Sequence, residues 1–116
     1  EITRKDSLEL DDTDRALIAA RVAAAREKHI VITHGTDTMT ETAKLLQDIP
    51  GKTVVLVGAL APARFGESDA SFNLGMAFAT AQVAEPGVYI TMSGSVFRAD
   101  KVVKDRAKGA FVPTGE

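Results

Sequence analysis

The chain has 116 residues, 45% hydrophobic and 26% charged, with 14 Lys plus Arg against 16 Asp plus Glu and a net charge of −2. That size and balance fit one soluble globular domain with one core. The composition excludes disulfides, thiolate catalysis and Cys-ligated metal, because there is no Cys. With no basic patch, one Tyr and no Trp, it also argues against nucleic-acid binding, and no apolar run is long enough to span a bilayer.

In chain order, Glu1-Ile2-Thr3-Arg4-Lys5-Asp6 has no signal-peptide character, so the expected location is cytoplasmic. Glu1 to Lys5 has room for one short strand at most. The spacing predicts a helix over Asp12 to Lys28: Leu17, Ala20 and Ala24 recur at helical spacing, as do Ile18, Val22 and Ala25. Asp11 or Asp12 can cap its start, and Arg26 and Lys28 suit its negative end. His29 to Thr33 is rich in β-branched residues and predicts a strand. Thr38-Met39-Thr40-Glu41 has capping-box spacing, with Thr38 at the N-cap and Glu41 at the third helical position. The helix it opens runs to about Gln47, and Pro50-Gly51 ends it.

Thr53 to Val57 is a second strand, without the polar alternation of a half-exposed one, as in a sheet buried on both faces. A long loop from Ala59 to Ser68 follows. Ser68 or Asp69 can cap a third helix, Ala70 to about Ala84. Glu85-Pro86-Gly87 is a turn, and Val88 to Met92 a third strand. Ser93-Gly94 breaks it into a hairpin with Ser95 to Phe97. The tail from Arg98 reads as a short helical turn or coil. Alternating strands and helices predict an α/β fold: an open, mostly parallel sheet with helices on both faces, Rossmann-like in three layers, with a C-terminal hairpin. Such a sheet ordinarily starts with a full strand, turn and helix, so the sequence is expected to be a piece of something longer.

The most informative segment is the junction of the first clear strand with its helix. His34, Thr36, Asp37 and Thr38 crowd a turn at the carboxyl end of a buried strand, where ligands bind in open parallel sheets. The first helical turn offers N–H donors to an anion or oxyanion. Thr36 could attack a carbonyl or position a water if a base takes its proton. Asp37 could orient such a base or bind an ammonium. Gly35 lets backbone approach a ligand closely. Thr and Asp at a helix start are equally ordinary caps, and His34 reads as a structural histidine. His29 and His34 lie on opposite faces of their strand, which argues against a metal site. The turn also lacks the Gly-rich, Lys-containing pattern of a phosphate loop.

Ile30 to Leu46 strongly resembles the second signature of the bacterial-type L-asparaginases, amidohydrolases with a threonine nucleophile. Val54-Val55-Leu56-Val57-Gly58-Ala59-Leu60-Ala61-Pro62 resembles that family's next strand and loop. Glu67-Ser68-Asp69-Ala70-Ser71-Phe72-Asn73-Leu74 resembles its helix entry, and Gly87 to Met92 its following strand. Lys5-Asp6-Ser7, ahead of Asp11-Asp12, resembles its substrate-binding turn. The match covers nearly the whole chain, as the middle and end of the family's N-terminal domain.

The resemblance implies hydrolysis of L-asparagine, or a related small amide, by threonine-based acyl transfer. It implies Thr36, Asp37 and Lys104 as catalytic residues, with the Lys104 ammonium beside Thr36 favouring its deprotonated hydroxyl. Ser7, with Asp6 beside it, would hold the substrate's α-carboxylate. Gly35 would allow close backbone approach, and the Ala59 carbonyl would meet the side-chain amide. No cofactor and no metal are implied, the partner is a small amino-acid substrate, and homo-oligomers are expected. Lys104, among Lys101, Asp105 and Arg106, otherwise has the character of a solvated surface residue.

The sequence departs from the family in several places. A Thr-Gly-Gly-Thr turn with the primary nucleophile, a lid Tyr and a second domain are not among these residues, and Ser93-Gly94 stands where the family often has Asn and Asp. The alternative is therefore a catalytically impaired amino-acid-binding module or partner subunit of the same fold. A generic phosphate-binding α/β domain has only the helix start in its favour.

Overall fold

The computed structural model describes residues 11–58, 69–105 and 107–114. The element order is α1 (Asp12–Ala24), β1 (His29–Thr33), α2 (Met39–Leu46), β2 (Thr53–Val57), α3 (Ala70–Val83), β3 (Gly87–Met92) and β4 (Ser95–Arg98). A 3-10 turn (Ala99–Lys101), β5 (Val102–Asp105) and β6 (Ala110–Pro113) follow. The short strand expected in Glu1 to Lys5 and the cap expected at Ser68 lie outside the described residues.

The main sheet runs β1-β2-β3-β4. β1, β2 and β3 are parallel, and β4 is antiparallel to β3. Thr33 pairs with Val57 and Val57 with Thr91. The three parallel strands therefore finish level, and their exits lie side by side at one end of the sheet.

Strand periodicity sends alternate residues to opposite faces, and each face carries its own core. Val54, Leu56, Val88, Ile90 and Met92 pack with Ile18 and Val22 of α1 and with Met39, Ala43 and Leu46 of α2. On the other face, Val55 and Val57 pack with Ala77 and Ala81 of α3. This is the expected three-layer arrangement. Each fully buried aliphatic side chain contributes roughly 1.5–3 kcal/mol. Every residue of β2 is buried, whereas β1, at the edge among the described strands, is only half-buried in its middle and exposed at its ends. A groove of about 540 Å³ runs along β1 beneath α1, lined by Ile18, Val22, Ile30 and Ile32.

Four local expectations are corrected. In α1, Ile18 and Val22 are buried as predicted, but Leu17 is 45% exposed; the inward stripe is Arg15, Ile18 and Val22. α1 also stops at Ala24 rather than Lys28. Ala25 is extended, and the Lys52 ammonium takes the carbonyls of Ala25 and Glu27. The capping box at Thr38 does not form: Thr38 makes no side-chain cap bond. Glu41 instead pairs with Arg15 Nη2 at 3.1 Å. Arg15, which also bonds Asp12, draws the Glu41 carboxylate into this tertiary ion pair in place of the cap. Asp11 does cap α1, in a reciprocal box with Asp14.

The fourth correction is the tail. Its start, Ala99–Lys101, is the expected short helical turn, but an antiparallel β5–β6 hairpin follows in place of coil. Val102 and Phe111 join the α1/α2 core, and that burial decides against coil. Gly109, at φ +62°, closes the connecting loop, where a left-handed residue is needed. The predicted β3–β4 hairpin is present, with Ser93 at φ +52° and Gly94 at φ +83°; both central residues of such a tight connection are left-handed.

Candidate functional site

The polar turn between β1 and α2 sits at the level exits of the parallel strands. His34 N–H donates to Val57 O at 2.9 Å, which prolongs the β1–β2 ladder by one bond. The chain then leaves the sheet, and Thr36 and Asp37 fall in the bend before α2.

Lys104 reaches this turn from β5. Its Nζ donates to Thr36 Oγ1 at 2.7 Å and to Asp37 Oδ1 at 2.7 Å. The Lys104 side chain is 16% exposed and that of Asp37 35%. The cation is thus largely withdrawn from water, while the carboxylate remains accessible. Lys104 points inward because it shares the strand face of Val102, which is buried, whereas Val103 is exposed. The structure therefore brings together Thr36, Asp37 and Lys104 across 67 and 68 residues of sequence. An ammonium that bonds both a hydroxyl and a carboxylate can stabilise negative charge on the hydroxyl oxygen.

His34 closes the turn from behind. Its Nδ1 faces Gly35 O at 2.6 Å and its Nε2 faces Thr42 Oγ1 at 2.7 Å. A carbonyl only accepts, so Nδ1 carries the proton, and in the neutral ring Nε2 accepts from the Thr42 hydroxyl. Burial pulls the His34 pKa below the usual 6.5; the bond to Gly35 opposes this, and the Arg15 charge adds to it. His29, by contrast, bonds Ala81 O in α3, so the two histidines do serve opposite faces. Among the described residues no cluster of His, Asp and Glu converges as a metal site.

Gly35 is exposed in the turn. Asp6, Ser7 and Ala59, expected to bind substrate, lie outside the described residues.

Two residues that shape the site were not singled out by the sequence. Gly58 follows β2 directly: a Cβ there would collide with the His34 carbonyl oxygen and meet Thr36 Cγ2 and Met39 Cε at 3.2 Å. Asn73 is fully buried in α3 and bonds the exits of both β2 and β3. Its signal was available. It is the polar member of a stripe with Ala77 and Ala81, at helical spacing, in a helix without a charged residue.

Comparison with known proteins supports one family. The family described as Asparaginase, N-terminal matches residues 1–111. An L-asparaginase of Thermococcus kodakarensis is 34% identical over 118 residues, covering 93% of this chain and 36% of the relative. A glutaminase-asparaginase of Acinetobacter glutaminasificans is 42% identical over 80 residues, covering 65% and 24%. The L-asparaginase 2 of Escherichia coli is 44% identical over 80 residues, covering 64% and 23%. The chain thus spans about a third or less of the length of these relatives. The strand-to-helix turn, the three-layer sheet and the match over residues 1–111 agree: this chain belongs to the asparaginase family, in the part described as N-terminal.

Proposed function

We propose that the chain is an N-terminal-type domain of an amidohydrolase that converts L-asparagine, or a related small amide, to the acid and ammonia. The observation that carries this is the Lys104 ammonium, 2.7 Å from both Thr36 Oγ1 and Asp37 Oδ1. In the reaction, a threonine hydroxyl attacks the amide carbonyl carbon, the C–N bond breaks and ammonia leaves with a proton. Water then cleaves the ester and returns the acid. Lys104 offsets negative charge on the Thr36 oxygen, and Asp37 balances Lys104 while facing the substrate's α-amino group. By the resemblance, Ser7 and Asp6 hold the α-carboxylate end, Gly35 admits the substrate, and the Ala59 carbonyl meets its amide. The Thr-Gly-Gly-Thr turn of related enzymes would bring the primary nucleophile to the same cluster. The chemistry needs no cofactor, and the working form is a cytoplasmic homo-oligomer.

The test is ammonia release from asparagine and glutamine by the full-length natural protein. Turnover of asparagine that Thr36→Ala lowers by about a thousandfold or more supports the reading. If the protein is inert but aspartate raises its melting temperature, the chain is an amino-acid-binding module. If Thr36→Ala changes neither activity nor aspartate binding, the site is wrongly assigned.

A further inference from the structure

We infer that Asn73 is a positioning residue that holds the two halves of the Thr36–Asp37–Lys104 cluster in register; its kinetic consequence rests on the amidohydrolase reading above. The side chain is fully buried and all its polar atoms are engaged. Oδ1 accepts from Ser93 N–H at 3.0 Å. Nδ2 donates to Gly58 O at 3.0 Å and to Asp69 Oδ2 at 2.8 Å, with Met92 Sδ at 3.6 Å as a longer third contact. Only this orientation of the amide works, because Ser93 offers an N–H while Gly58 and Asp69 offer oxygens.

The two backbone partners are the first residues after β2 and after β3. One side chain thus ties the exits of adjacent parallel strands where their ladder ends. Each exit leads to one half of the cluster. Gly58 supports the turn that carries Thr36: a Cβ there would collide with the His34 carbonyl oxygen of that turn. Ser93, held in the left-handed region, starts the path through β4 and the 3-10 turn to β5 and Lys104. That path is anchored again at Ala99 and Val102 in the core. The rest of the buried face of α3 is Ala77, Thr80 and Ala81, so packing alone does not call for an amide at position 73. A buried amide is retained at no cost only where its bonds are all made, and here the bonds fix the spacing between the exits.

Asn73 touches none of the cluster's polar atoms in these bonds, so removing it should misplace the cluster rather than delete a member. In the full-length natural protein, Asn73→Ala and Asn73→Asp are compared with Val55→Ala. Val55 shares the α3 face of the sheet but lies before the strand exits. Asn73→Asp keeps the volume and the Ser93 acceptor while losing the donors to both Gly58 and Asp69, and it serves if Asn73→Ala does not fold. The expected result is a crystal structure with Lys104 Nζ beyond hydrogen-bond reach of Thr36 Oγ1. With it kcat should fall by on the order of ten- to a hundredfold, with KM little changed. Val55→Ala should lower the melting temperature and leave both readouts in place. An unmoved Lys104 in a folded Asn73 variant, or equal movement in Val55→Ala, overturns the inference. If the wild type does not hydrolyse asparagine, the amidohydrolase reading fails, and the Lys104–Thr36 distance still decides the role of Asn73.

Discussion

The β1–α2 turn and the β5–β6 hairpin supply the two halves of one cluster by opposite means. The turn is local: a strand ends, four polar residues follow, and α2 begins within ten residues of His29. The hairpin is not. Lys104 arrives from 67 residues beyond Asp37, and it faces inward only because Val102 and Phe111 bury the hairpin against α1 and α2. A local motif therefore supplies the hydroxyl and the carboxylate, while tertiary packing delivers the cation.

The largest effect should come from removing the cation. Lys104→Met is expected to lower asparagine turnover about a thousandfold in ammonia-release kinetics. Combining it with Thr36→Val should cost little more, because on the proposed mechanism the two act as one set, whose losses are not additive. Full additivity would mean that turn and hairpin act independently. Next, Phe111→Ala should destabilise by about 3 kcal/mol, measured by denaturant unfolding. It should also expose the β5–β6 amides to hydrogen exchange before those of β2. Uniform exchange would show that the hairpin is no separate unit.

A pH effect is expected from the turn, at His34. The folded His34 binds its proton less readily than the unfolded chain does. Its contribution is thus present above about pH 6.5 and is lost as pH falls through the lowered folded value. The wild type should lose more melting temperature than His34→Gln between pH 7.5 and pH 5, values bracketing the ordinary histidine range of about 6.5. Equal losses would remove His34 as the source. The smallest effect is expected at Glu41→Gln. Its carboxylate pairs with Arg15 but is 58% exposed, so the loss should be about 0.5–1 kcal/mol by chemical denaturation.

Much of the molecule was legible beforehand. The β-branched runs at His29–Thr33 and Thr53–Val57 are strands over those very spans, because short-range sterics and apolar runs act within a few residues. Thr36 and Asp37 were legible for the same reason. The run Ile30-Val31-Ile32 looks as apolar as Val54-Val55-Leu56, yet the first is half-buried and the second fully buried. Burial depends on neighbouring strands, which a strand's own composition does not encode. The capping box at Thr38 failed for a related reason, since Glu41 found Arg15, 26 residues away.

By itself, the sequence determined the strand–helix alternation, the two apolar faces of the sheet and the polar turn that carries Thr36 and Asp37. These rest on interactions within one or two helical turns, or on alternation along one strand. Only the tertiary structure decided that the tail is a hairpin, that Lys104 points inward, and that Asn73 and Gly58 set the strand exits. Each of these depends on burying groups that are distant in sequence, and the free energy of that burial is settled only once the whole core has closed.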